Sequence, residues 1–73
     1  MTDVVDSDEL LRRIQRARAC AAAERRSWRT KRGELGRTDP AAAHDAAVRE
    51  LTYEAVLRVL DEILSPGRHP EPG

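Results

Sequence analysis

An all-α fold, specifically an antiparallel two-helix hairpin, is predicted by three observations: a heptad-spaced apolar seam in the first half, a double apolar stripe in the second, and a Gly/Pro break between them. Across its 73 residues the chain has no Phe, and its only aromatics are Trp28 and Tyr53. Any core must therefore come from Ala, Leu, Val and Ile. With abundant Arg and Glu, that is the composition of long helices and coiled coils.

The first helix is expected over residues 7–35 of a hairpin spanning 6–65, with residues 1–5 flexible. Asp6 is placed to cap it, Glu9 to complete a capping box, and Val5 and Leu10 to form the accompanying hydrophobic staple. The seam reads Leu10, Ile14, Ala17, Ala21, Glu24, Trp28, with alternating spacings of four and three, which is the core pattern of a coiled coil. Small side chains at Ala17 and Ala21 let a neighbouring helix approach, while Leu10, Ile14 and Trp28 close the two ends. Glu24 interrupts the seam; it is expected to reach solvent or pair with Arg49, or else to act as a buried polar residue that fixes register. Leu35 continues the spacing from Trp28, so Gly36 rather than Gly33 is expected to end the helix in a left-handed conformation.

The second helix is expected over residues 40–64, with Asp39 as its cap and Pro40 at its first position, where a fixed φ and a missing N–H are favourable. Val48, Leu51, Ala55, Val59 and Ile63 make one apolar stripe on it; Tyr53, Leu57, Leu60 and Leu64 make a second, with Val56 between. Together they cover roughly 200° of the helix, against the roughly 100° a single core-facing side needs. Ser65, Pro66 and Gly67 stop the helix, and residues 66–73, including His69, are expected to be a disordered tail.

Folding about residues 36–38 would set Leu10 against Ile63, Ile14 against Val59 or Leu60, Ala17 against Val56, and Ala21 against Leu51 or Thr52. Tyr53, Val56, Leu57, Leu60 and Leu64 are then left as the candidate oligomer or partner interface. A chain this short rarely holds together without a disulfide, a metal or self-association. Cys20 is the only cysteine, which leaves association. The expected form is a homodimer, a four-helix bundle or coiled-coil-like assembly, with a different protein as the alternative occupant of the second stripe.

The expected function is a small, non-enzymatic protein–protein interaction or assembly module, an adaptor or regulator acting through an apolar face of the second helix. No Ser-His-Asp order, phosphate loop or paired catalytic carboxylates can be assembled, and no cofactor is expected. His44 has Ala47 and Val48 where a helical metal site would place ligands, and Cys20 is expected to be a small buried packing residue. The alternative function is a nucleic-acid-binding regulator, with Arg25, Arg29 and Arg32 on one flank of helix 1 touching phosphates. Against it stands the charge distribution. Residues 8–37 hold ten basic and four acidic side chains, residues 38–64 two and six, and the whole chain has net charge zero. The halves therefore attract each other. Trp28 is expected to pack at the hairpin end under the guanidinium groups of Arg25, Arg29 or Arg32.

The acidic start, without a basic and apolar leader, and the absence of any long apolar run point to a cytoplasmic protein with no membrane partner. Twelve arginines to one lysine, with frequent alanine, suggest a bacterial source with a G+C-rich genome.

Overall fold

The computed structural model describes residues 6–67. The expected flexible start, the Val5 staple, His69 and the tail beyond Gly67 lie outside the described residues. Within them the protein has two helices, α1 (Ser7–Leu35) and α2 (Pro40–Leu64), and no strand. They pack antiparallel: Arg18, early in α1, reaches Asp61 late in α2, while Arg32 near the end of α1 reaches Glu50 nearer the start of α2.

Each helix starts on an aspartate. The Glu9 N–H donates to the Asp6 carboxylate at 2.8 Å, and the Ala42 N–H donates to that of Asp39 at 3.1 Å. Half of the expected capping box is absent, because the Glu9 carboxylate does not return to the cap. It accepts instead from Arg12 at 3.2 Å and Arg13 at 3.0 Å, one turn onward. Two guanidinium groups outcompete one backbone N–H, since bonds between ionised partners are the stronger ones.

The connection after α1 differs from the expected left-handed cap. Gly36 has φ −51° and ψ −37°, ordinary right-handed helical values. The Leu35 carbonyl is satisfied by the N–H groups of Thr38 at 3.2 Å and Asp39 at 2.9 Å, so no residue has to adopt positive φ. At the end of α2 one does: Gly67 has φ +75°, and its N–H donates to the Glu62 carboxylate at 3.3 Å.

Gly33 lies inside α1, where an added Cβ would meet nothing within 4 Å, and its φ is not positive. Glycine in a helix interior gives away backbone entropy for nothing here. Gly33→Ala is expected to raise stability by about 0.5–1 kcal/mol, read as a higher urea midpoint at unchanged slope.

The face of α2 that meets α1 is not the one the expected pairing uses. Ala46, Glu50 and Leu57 are buried, and Tyr53, Leu60 and Leu64 are half-buried on the same side. Leu51, Val56, Val59 and Ile63, expected against α1, are 63%, 40%, 62% and 53% exposed. Charge placement explains the exchange. Glu50, Glu54 and Asp61 lie on the same side of α2 as Leu57, and only this rotation carries them to the arginines of α1. The cost is a thin core: Ala21, Ala46 and Leu57 are its only buried apolar residues among those described, and no large side chain is fully enclosed.

Candidate functional site

Two surfaces come out of this packing. One is ionic and lies along a side of the helix–helix seam; the other is apolar and occupies the back of α2.

Arg18, Arg25 and Arg32 are spaced by seven residues, so they stand above one another on the inner face of α1. Arg18 grips Asp61 with two hydrogen bonds, from Nε at 2.5 Å and Nη2 at 3.4 Å. Arg32 Nε donates to Glu50 at 2.7 Å. The middle rung is looser, with Arg25 Nη1 3.9 Å from Glu54 and the buried Arg25 Nε lacking a hydrogen-bond partner. A groove of about 440 Å³ runs beside the ladder, lined by Arg18, Arg25, Arg26, Glu54, Leu57 and Asp61 among others.

Of the three arginines singled out for phosphate contact, Arg25 and Arg32 thus face carboxylates of α2, and Arg29 alone is exposed with no ion pair among the described residues. The seven-residue repeat of Arg18, Arg25 and Arg32 is visible in the sequence and is the signal that reveals the ladder. The apolar heptad seam masks it, because that seam accounts for only part of the contact face.

Hydrogen bonding to Asp61 first, and the carboxylate's charge second, raise the proton affinity of the Arg18 guanidinium. The folded chain therefore holds this proton more tightly than the unfolded one. The resulting stabilisation is present throughout the neutral range and is lost as pH rises into strong alkali.

Glu50 is the one buried charged residue among those described, 9% exposed, and its pairing depends on Arg32. Arg32→Ala is expected to cost about 1–3 kcal/mol, because it leaves a buried carboxylate short of a donor. Adding Glu50→Leu should recover much of that loss, since a leucine of similar size in place of the carboxylate removes the unpaired buried charge. Urea unfolding of the single and double variants measures both.

Trp28 is half-buried between Lys31, whose Nζ is 5.0 Å from the ring centroid, and Arg49 of α2, whose guanidinium carbon is 4.9 Å away. The expected cation–π partners Arg25, Arg29 and Arg32 are replaced because the ladder occupies the opposite side of the seam. Arg49 also pairs with Asp45 at 3.1 Å, which takes it away from the expected contact with Glu24; Glu24 is half-buried. Cys20 is exposed rather than packed. His44 is exposed as well, and no group of three potential metal ligands occurs among the described residues.

The apolar surface is the back of α2. Val48, Leu51, Val56, Val59 and Ile63 are between 40% and 63% exposed, and Ala55 is exposed among them. At 100° per residue Val59 lies about 160°, and Val48 about 180°, from Leu57 around the helix axis. This face therefore points directly away from α1. Of the residues expected to form the interface, only Val56 belongs to it; Leu57 is buried and Tyr53, Leu60 and Leu64 are half-buried in the hairpin. Both stripes are legible in the sequence, and the one that packs on α1 is the one expected to stay outside.

The one hydroxyl on this face is already satisfied, because Thr52 Oγ1 donates to the Val48 carbonyl of its own helix at 2.9 Å. It leaves no donor that water must solvate. No helix among the described residues is long and apolar enough to cross a membrane. Set against known families, curated proteins and solved structures, the chain matches no family model, no curated protein and no solved structure.

Proposed function

We propose that this chain is a non-enzymatic protein–protein interaction and assembly module that works through the exposed apolar back of α2. The observation that carries the reading is the exposure of Val48, Leu51, Val59 and Ile63 on a helix whose other side is already packed. Two helices make a single layer, whereas a stable domain needs two layers around its core. Completing the burial of a half-exposed Val, Leu or Ile is worth about 1 kcal/mol, so the five large side chains of this face offer about 5 kcal/mol per protomer. That is comparable with the whole stability of a small domain.

Self-association supplies the second layer. Two hairpins joined back to back form a four-helix assembly with the α2 pair inside and the α1 helices outside. A net charge of zero means that copies of the chain carry no overall repulsion. The nucleic-acid reading has less support, because Arg25 and Arg32 face acidic partners within the hairpin.

If folding and association are coupled, the midpoint of thermal unfolding rises with protein concentration. Scans at concentrations a hundredfold apart should show that rise. A midpoint independent of concentration, in a chain that is fully helical at the lower one, would contradict assembly through this face.

A further inference from the structure

Building on that assembly, we propose that the occupant of the α2 back face is a second copy of this chain, docked antiparallel with Ala55 on the two-fold axis. Four of the five large exposed apolar residues are arranged almost symmetrically about Ala55, with Leu51 and Val59 four residues away on either side, Val48 seven before and Ile63 eight after, while Val56 faces Glu54 across that centre. Running the helix against itself in the opposite direction sets Leu51 beside the partner copy's Val59 and Val48 beside its Ile63. The alanine at the centre lets the two backbones approach where they cross, and the larger residues close over both ends. An isologous contact of this kind needs one self-complementary patch, which this face is.

Direction follows from the helix ends. Asp39 compensates the positive end of the α2 dipole, but the last turn of α2 carries no cation, so its negative end is not compensated by its own side chains. α1 does not make up the difference, since Asp8 and Glu9 already occupy its positive end. A parallel pair of α2 helices would place like ends side by side; the antiparallel pair separates them. Thr52 fits either way, with its hydroxyl bound internally.

Site-directed disulfides read this arrangement. In a Cys20→Ser background, Ala55→Cys, Val48→Cys and Ile63→Cys are made separately, checked for wild-type helicity and mass under reducing conditions, and then oxidised. In the antiparallel dimer the Ala55→Cys chain links to itself, shifting its mass from 8.2 kDa to twice that value. Two copies of position 48 lie roughly 21 Å apart along the pair, fourteen residues of helical rise, far beyond disulfide reach. Val48→Cys and Ile63→Cys alone therefore stay unlinked, while an equal mixture of the two, exchanged before oxidation, gives the linked heterodimer. Self-linking by Val48→Cys and Ile63→Cys, with none between them, would overturn the antiparallel geometry and leave self-association standing. A reduced wild-type chain that is monomeric and helical would remove self-association as well.

Discussion

Leu57→Asp abolishes the helical circular dichroism of the chain, and Leu57→Ala lowers its stability by about 2–5 kcal/mol. Leu57 is 7% exposed and is the only large side chain among the buried apolar residues described; the other two are Ala21 and Ala46. Truncating it removes the one large buried apolar side chain of the hairpin and leaves a cavity that two alanines cannot fill. A carboxylate there would sit beside Glu54 and Asp61, which already line the same stretch of the seam, adding like-charge repulsion to the cost of burial. Circular dichroism with urea titration measures both variants. A Leu57→Asp chain as helical and as stable as the wild type would mean that the helices pack through a different face.

Leu51→Asp combined with Val59→Asp converts the assembly to monomers. Both side chains project from the back of α2, 63% and 62% exposed, so the substitution leaves the α1–α2 contact untouched. In a back-to-back dimer it places four carboxylates in a small apolar contact. Each buried, unpaired charge costs several kcal/mol, more than the apolar gain at its position. The expected result is a halved solution mass and a helical signal that is weaker than that of the wild type and independent of concentration, as the unsupported hairpin comes apart. Retention of the wild-type mass would exclude this face as the interface. The contrast with Leu57→Asp is one of place, because that variant strikes the contact within the hairpin and this pair strikes the contact between its copies.

The helical class is legible because local signals agree along the chain. Asp6 and Asp39 accept the cap hydrogen bonds, Pro40 stands where its ring suits a first turn, and Gly67 supplies the positive φ after α2. The double stripe of α2 is legible from residue spacing alone. Which stripe faces inward is not, because apolar periodicity treats the two alike. The choice is made by charges, through the match between Arg18, Arg25 and Arg32 on α1 and Asp61, Glu54 and Glu50 on α2. Each such pair adds little when solvent reaches it, yet together they decide between two faces of similar apolar content. Gly36 shows a related gap: its position marks the end of α1, but the backbone there stays right-handed because the turn satisfies the Leu35 carbonyl without a left-handed residue. Cys20 shows another, since a seat beside the alanine seam leaves it exposed once the inner face of α1 turns toward the arginine ladder.

Sedimentation equilibrium of the unmodified chain, over a wide concentration range and with circular dichroism at each point, bears most directly on assembly through the back of α2. The expected result is a helical species of twice the 8.2 kDa chain mass, dissociating on dilution with a parallel loss of helix. A fully helical 8.2 kDa monomer at every concentration would contradict it, because the hairpin would then be stable with that face in water.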